Sequence, residues 1–199
     1  MTTDSAELAK QSQRPEVSVP LTDVHIRRAT LHDLNDCLTL DAGYDTQRVW
    51  QMNLQVKKNR IQVDFHLVHL PRIVHIEVEP GTENLLKCWQ RGDCLLTARK
   101  QSTVVGFMHL IPDIPTKVGY IHRHVVAPEH RGQGIGSMLL THAMKWARER
   151  KLHSAVTSLN TKNHPASDFY LDRGFVFSGF SEETHGDQRI RLQFSRGVR

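Results

Sequence analysis

Apolar and polar positions alternate along much of the chain after residue 93. Three alternating runs follow one another with polar turns between them, which predicts three antiparallel strands: DCLLTARK, STVVGFMHLI and KVGYIHRHVVA. Three shorter runs predict further strands nearer the C-terminus: SAVTSL, FVFSGF and QRIRLQF. This part of the chain is therefore predicted to form most of one sheet.

Two helices are predicted among these strands. In GIGSMLLTHAMKWARER the apolar residues recur every three or four positions, which predicts a long helix with one buried face. NHPASDFYLDRG predicts a second, shorter helix that ends before Gly174. The buried face of the long helix is predicted to carry Ile135, Leu139, Ala143 and Trp146.

The pattern is weaker before residue 93. VHIRRA predicts a strand at 24–29, and the leucine spacing after it predicts a helix. A second helix is predicted over TQRVWQMNLQV, and two strand-like runs separated by Pro71 predict a hairpin within 61–79. Residues 1–22 are polar and lack periodicity, so we expect a mobile leader. Residues 23–199 are predicted to form a single domain, with 44–92 as a variable elaboration.

Composition and charge exclude several classes of protein. With 39% hydrophobic and 24% charged residues, the 199-residue chain has an ordinary globular composition. It contains no apolar run long enough to cross a bilayer and no signal-peptide pattern, so we expect a cytoplasmic protein without a membrane partner. Its net charge of +5 is scattered, and we expect no nucleic-acid partner. Three cysteines cannot all pair, and none lies in a CxxC, which predicts reduced, mostly buried thiols.

The most informative segment is a glycine-rich turn between a strand and the long helix. HVVAPEHRGQGIGSMLL contains R-G-x-G-x-G, with glycines at 132, 134 and 136. Glycines let the backbone approach a ligand closely, and the N–H groups that begin a helix bind anions, so the turn predicts a phosphate site. The spacing does not match a P-loop, and Ser137 stands where a dinucleotide fingerprint has its third glycine.

The strand, the V-x-P-x-x-R-G-x-G-I-G turn and the long helix together resemble the acetyl-CoA loop of the GNAT N-acetyltransferase superfamily. A second motif resembles that family at the expected distance, as Asn163, Ala166, Phe169, Tyr170, Gly174 and Phe175. The two motifs cover about residues 120–177. The resemblance implies an α/β (α+β) fold with a mixed, mostly antiparallel sheet of six to seven strands flanked by helices. It also implies that the sheet is splayed at the strand ending at Val126.

The resemblance implies acetyl-CoA as the acetyl donor and a primary amine as the acceptor. The pantetheine arm would pair with the backbone near His124 and Val126, and the N–H of Val126 would face the oxyanion. The pyrophosphate would lie on the N–H groups of 131–137, with the Ser137 hydroxyl as a further donor and Arg131 supplying charge. The implied cofactor-binding residues are His124, Val125, Val126, Arg131, Gly132, Gln133, Gly134, Ile135, Gly136, Ser137, Asn163 and Tyr170.

Two residues are predicted to be catalytic. Tyr170 matches the family tyrosine that protonates the departing thiolate; the alternative is an aromatic residue packed in the core. Histidine has an ordinary pKa near ~6.5, and we take His122 as the base that deprotonates the amine, the alternative being a half-buried structural histidine. Strand alternation predicts that Tyr120, His122, His124 and Val126 share one face. The weaker candidate bases are His124, Tyr120 and Glu129, and Asn163 could equally cap the helix that follows it.

A metal site is not expected. His122 and His124 on one strand face could supply two ligands, with His109 as a third, but no cysteine or aspartate spacing supports such a site. The predicted function is acetyl transfer by direct attack in a ternary complex, with a small-molecule amine as acceptor and 44–92 on the acceptor side. The alternatives are acetylation of protein N-termini or lysines and a non-catalytic CoA-binding module. Nucleic-acid binding is disfavoured, and the sequence leaves a homodimer open.

Overall fold

The computed structural model describes residues 23–79, 84–183 and 189–198, so the predicted leader at 1–22 lies outside the described residues. A seven-stranded sheet and a separate two-stranded ribbon account for the strands. The strands are β1 (Val24–Arg28), β2 (Tyr44–Lys57), β3 (Arg60–Ile76), β4 (Cys94–Lys100), β5 (Thr103–Asp113), β6 (Val118–Val126), β7 (Ser154–Asn160), β8 (Val176–Glu183) and β9 (Arg189–Gly197). The helices are α1 (Asp33–Thr39), α2 (Leu85–Arg91), α3 (Ile135–Glu149) and α4 (His164–Leu171).

The sheet has the strand order β1-β4-β5-β6-β7-β9-β8. Within the described residues its pairs are antiparallel except for β6 and β7, which run parallel on either side of the α3 crossover. The predicted mixed, mostly antiparallel sheet is therefore confirmed. The strands predicted after residue 93 and the two helices between them are all present.

Two apolar clusters cover opposite faces of the sheet. Met108 and Phe107 are consecutive on β5 and point to opposite faces, and each belongs to a different cluster. The larger cluster contains the buried face of α3, where the four predicted residues are all buried. The smaller cluster gathers α1 and α2 around Phe107 and Val125. The sheet is thus covered by α3 and α4 on one face and by α1 and α2 on the other.

The sheet is splayed where the sequence predicted. The parallel ladder between β6 and β7 ends at Ile121 and Thr157, although β6 itself continues to Val126. Beyond this point β7 pairs only with β9. The two strands therefore diverge and leave a gap that opens toward the N-terminus of α3.

The segment predicted as a helix over TQRVWQMNLQV is a strand, so that prediction is wrong. Trp50, Met52, Leu54 and Val56 recur every second residue, and this period of two matches the strand β2. The two runs expected to pair around Pro71 instead form the single strand β3, which pairs with β2. Pro71 is tolerated because it lies in the irregular stretch between the pairs Thr46–Val74 and Arg48–His69, where the ladder is interrupted.

Two capping residues mark the ends of α2, although hydrophobic periodicity does not predict this helix. The side chain of Asn84 accepts a hydrogen bond from the Lys87 N–H and so caps the start of the helix. Gly92 ends it in the left-handed conformation, with φ of 85°. A helix this short has too few turns for a periodic pattern, and only these two caps mark it.

The three cysteines are buried and form no disulfide with one another, as predicted. Burial raises the pKa values of Cys37 and Cys94 to about 12, so both remain thiols at neutral pH. None of the helices in the described ranges combines the length and the apolar composition that a membrane-spanning helix needs.

Candidate functional site

A cleft of about 520 Å³ lies where the end of β6 meets the first turn of α3 and one side of α4. All the predicted cofactor-binding residues line it except Gln133, whose side chain donates to the backbone carbonyl of Glu129. His122 does not line it either. Residues outside the predicted cofactor-binding set complete its wall: Ala42, Tyr44, His130, Pro165, Ala166, Phe169 and Arg173.

The glycine turn has the geometry that a phosphate group requires. Gly132 and Gly134 have φ of 75° and 83°, a conformation that side chains disfavour. Gly134 then begins α3, whose first N–H groups have no carbonyl partner within the helix and lie at the positive end of its dipole. A Cβ at Gly136 would approach the Phe169 ring to 3.3 Å and narrow the cleft. The turn therefore has room and unpaired N–H donors for a phosphate group.

Arg173 is the residue of this site that sequence reasoning missed. Its Nε and Nη2 donate to Oγ of Ser137 at 3.0 and 2.6 Å, and its guanidinium stacks 3.7 Å from the Phe169 ring centroid. This contact fixes a cation beside the first turn of α3. Arg173 directly precedes Gly174 within the second motif, and this position could have identified it as a site residue from sequence.

Arg131 has a different environment from the one expected. Its guanidinium donates to three backbone carbonyls, those of Val126, Gly43 and Asp41, at 2.8, 2.7 and 3.2 Å. It thereby ties the glycine turn to the loop before β2. Its predicted role as a source of charge for the pyrophosphate stays a prediction, but its hydrogen-bond donors are directed at carbonyl oxygens.

His124 and Tyr170 form a hydrogen-bonded pair in the cleft wall. The imidazole Nε2 lies 3.1 Å from the Gly136 carbonyl, and because a carbonyl only accepts, Nε2 carries the proton. Burial lowers the pKa of His124 to about 4, against the effect of the Gly136 hydrogen bond, so the ring is neutral at pH 7. Nδ1 therefore accepts from the Tyr170 hydroxyl at 3.0 Å. His124 is a poor candidate for the base.

Tyr170 keeps its proton in this environment. Burial raises its pKa well above the usual range, and a hydrogen bond with Thr157 offsets only part of the shift. The phenol is also part of the core, where its ring contacts Phe175 at 5.0 Å between centroids. Tyr170 is thus both a packed core residue and a protonated hydroxyl that lines the cleft.

His122 lies on the other face of the sheet, so the prediction that it shares a face with His124 is wrong. On β5, His109 and Leu110 are consecutive, but their partners on β6 are Arg123 and Ile121, which leaves His122 as a β-bulge. The bulge shifts the alternation by one residue. The exposed His122 ring packs against His109 with 5.7 Å between centroids, while His124 faces α4.

A buried charged network lies behind His122. Nε2 of His109 is 2.9 Å from Oδ2 of Asp93, and Arg91 donates to both carboxylate oxygens of that residue. Burial alone would raise the pKa of Asp93, but the hydrogen bonds from Arg91 and His109 hold it below its usual range. The carboxylate is therefore ionised and fixes the orientation of His109.

The geometry does not support the metal arrangement considered from sequence. The bulge separates His122 from His124, so the two rings cannot act as neighbouring ligands. The buried side chains of Cys88, Asp93 and His109 do lie within 4.8 Å of one another. Both oxygens of Asp93 already accept from the Arg91 guanidinium, whose positive charge opposes a cation at that position.

Three further predicted residues have assigned positions. Asn163 lines the cleft and also caps α4, because its side chain accepts from the Ala166 N–H at 3.1 Å. The capping interpretation is therefore confirmed, and the contact of Asn163 with the cofactor stays a prediction. Glu129 is exposed in the short 3-10 helix Pro128–His130, and Tyr120 is exposed on β6.

Comparison with known proteins agrees with this geometry. The sequence model of the acetyltransferase (GNAT) family matches residues 65–175. A streptothricin acetyltransferase of Streptomyces lavendulae is 44% identical over 54 residues, which are 27% of this chain and 29% of that protein. The chain thus spans less than a third of this relative. The chain belongs to the acetyltransferase (GNAT) family, as the two motifs predicted.

Two solved structures have the same fold over nearly their whole length. A nourseothricin acetyltransferase superimposes with a TM-score of 0.76 at 20% identity, covering 89% of this chain and 99% of its own. A protein from Bacillus anthracis in complex with acetyl coenzyme A gives a TM-score of 0.72 at 18% identity, covering 88% and 99%. Because these superpositions cover almost the whole chain, the shared fold includes the ribbon, α1 and α2.

Proposed function

We propose that this protein is an acetyl-CoA-dependent N-acetyltransferase that acts on a primary amine of a small molecule by direct attack in a ternary complex. One observation carries the proposal: the glycine turn at the start of α3, the diverging end of β6 and Tyr170 meet in one cleft. Membership in the acetyltransferase family supports it. Holding amine and thioester together in the correct orientation supplies much of the rate.

The chain's own residues would hold the donor along the cleft. The N–H groups at the start of α3 and the Arg173 guanidinium would bind the pyrophosphate. The edge of β6 at 124–126, which has diverged from β7, would accept the pantetheine arm as an added strand. When bound, acetyl-CoA would supply the thioester acyl group that the amine attacks.

Tyr170 would donate a proton to the departing thiolate of the donor, and His124 would hold the Tyr170 hydroxyl in position. The phenol is protonated, and His124 holds its O–H in a fixed direction through Nδ1. As the thiolate leaves, the hydroxyl would turn from this weak neutral acceptor to the negative sulfur. His124 is therefore a positioning residue in this proposal, and Tyr170 is the acid.

His122 would receive the proton of the amine on the opposite face. It lies one residue beyond the end of the β6–β7 ladder, where the sheet opens, and on the face that the cleft does not occupy. An amine approaching there would meet the thioester without displacing the coenzyme. The Asp93–His109 pair behind it would orient the imidazole through the contact between the two histidine rings.

The acceptor class is proposed from the relatives and from the cleft. One matched relative is a streptothricin acetyltransferase, and one structural neighbour is a nourseothricin acetyltransferase, so a streptothricin-type amine is the first candidate. Tyr44 and Ala42 bring the start of 44–92 into the cleft wall, which supports a role for that segment on the acceptor side.

The test has two stages. Calorimetric titration with acetyl-CoA should saturate at micromolar concentration, and the same enzyme should then release thiol with streptothricin, polyamines or arylalkylamines. A lysine-containing peptide is the comparison substrate. The absence of binding at millimolar acetyl-CoA would overturn the proposal as a whole, whereas turnover with the peptide alone would overturn only the small-molecule acceptor.

Replacing Arg173 with glutamine should weaken acetyl-CoA binding about 10-fold or more, because a charge-assisted hydrogen bond to a phosphate contributes roughly 1.5–3 kcal/mol. The dissociation constant should also become less sensitive to salt. Calorimetry at two ionic strengths measures both effects. Arg148→Gln, an exposed change in the last turn of α3, should leave binding unchanged. Equal affinities for the wild type and Arg173→Gln would contradict this role.

Replacing His122 with glutamine should lower kcat/KM about 10- to 100-fold and remove the acidic limb of its pH profile. The limb reflects a base that must be unprotonated to accept the proton, so activity of the wild type should rise with pH. Acetyl-CoA affinity should not change, since His122 lies outside the cleft. A profile of the same shape in the wild type and the variant would assign the base to another group.

A further inference from the structure

The ribbon formed by β2 and β3 has one apolar face from Trp50 to its turn. Cross-strand partners on this stretch are apolar, whereas the next pair toward the base, Arg48–His69, is polar. The partners on the other face are mostly polar, as in Gln51–His66 and Asn53–Asp64. The apolar face consists of the pairs Trp50–Leu67, Met52–Phe65, Leu54–Val63 and Val56–Ile61.

The inner half of the apolar face packs on the body of the same protein. The Trp50 indole N–H donates to Oγ of Ser167 on α4 at 3.0 Å. The Phe65 ring lies 5.7 Å from that of Phe177 and 5.4 Å from that of Phe180, both on β8. These contacts fix the ribbon against α4 and the edge strand of the sheet.

The outer half of the same face is exposed. Leu54, Val56 and Ile61 have 50, 67 and 72% of their surface accessible, and Phe177 has 50%. A two-stranded ribbon is only marginally stable on its own in water. Apolar side chains that extend beyond α4 and β8 form an exposed patch of the kind that usually binds another molecule. The exposed surface is continuous with the Phe65 cluster on β8.

We propose that the apolar face of the ribbon is the interface of a homodimer, in which two ribbons pack face to face around a twofold axis. Each exposed side chain offers roughly 100 Å², so a protomer contributes roughly 600 Å² and the pair exceeds the ~1,000 Å² of a biological interface. Two stacked ribbons form a small sandwich with a dry core. The six side chains are Leu54, Val56, Ile61, Leu67, Phe177 and Phe180.

Sedimentation velocity and light scattering of the full chain at 1–100 μM test the interface. The wild type should have twice the 22.8 kDa mass of the chain, and Val56→Lys with Ile61→Lys should raise the dimer dissociation constant roughly 100-fold by burying charge. The control, Gln55→Lys with Gln62→Lys, changes the neighbouring pair on the polar face and should remain dimeric. Thermal melts verify that both variants fold.

Three results would overturn the proposal. One is a wild type that is monomeric throughout this range, which would mean that another segment or a different ligand covers the ribbon. The second is a dimer that survives the Val56 and Ile61 changes with unaltered affinity, and the third is equal weakening by the control pair. None of these results bears on acetyl-CoA binding, which is measured separately.

Discussion

Replacing Gly134 with leucine is expected to abolish acetyl-CoA binding, with at least an approximately 100-fold rise in Kd, while the chain remains folded. Gly134 begins α3 with φ of 83°, where a side chain costs roughly 1–2 kcal/mol and would project from the turn that receives the pyrophosphate. The backbone N–H groups can bind an anion only if it approaches them closely. Isothermal titration of the wild type and variant measures the loss.

Gly92→Leu is the matched control for this change. Gly92 also has a left-handed backbone, with φ of 85°, and nothing lies within 4 Å of a Cβ placed there. It ends α2, away from the cleft. Both variants should therefore lose similar stability in a thermal melt, but only Gly134→Leu should lose the ligand. Retention of wild-type affinity by Gly134→Leu would refute the phosphate-turn interpretation.

Replacing Tyr170 with phenylalanine is expected to lower kcat by about 10²-fold or more, with little effect on acetyl-CoA affinity. Proton transfer by a positioned side chain contributes roughly 10²–10⁴-fold to a rate, and this phenol is the protonated group that lines the cleft. The ring would still fill its place against Phe175, so the fold should persist. Steady-state thiol release gives kcat, and titration gives the affinity.

Two comparisons separate the chemical role of Tyr170 from a structural one. Tyr120→Phe removes an exposed hydroxyl from β6 and should keep full turnover. Tyr170→Phe leaves Nδ1 of His124 without its donor, which costs roughly 1–3 kcal/mol of stability. That loss should appear as a lower Tm and leave the pH profile of binding unchanged. Full turnover by Tyr170→Phe would remove the tyrosine from the mechanism and leave it only its core role.

Local chemistry explains which parts of the fold and site were readable from sequence. The glycine turn is specified by residue type, because positive φ at 132 and 134 requires glycine. Phe169, Tyr170 and the cap Asn163 act within one short helix, so their spacing is also local. Family membership and the splayed mixed sheet, which depend on these segments, are confirmed. The roles proposed for Tyr170 and His122 remain predictions.

Contacts between distant segments decided the rest. Arg173 gained its importance from Ser137, which lies 36 residues earlier in the chain. The bulge that moves His122 to the face opposite His124 is a property of the β5–β6 register, and no feature of β6 alone predicts it. TQRVWQMNLQV was predicted as a helix although its apolar residues recur every second position, and the strand that pairs with it, β3, runs through Pro71 and is defined only by that pairing.

The sequence by itself determined the conformation of the glycine turn, the buried face of α3, the α4 motif and the burial of the three thiols. Each depends on residue type and on neighbours a few positions away, where backbone conformation and periodicity are set. The tertiary structure decided the face on which His122 lies, the cation beside Ser137, the pairing of the ribbon and its exposed apolar surface. These features depend on register and on packing between remote segments, which local sequence does not encode because a shift of one residue reverses every side chain of a strand.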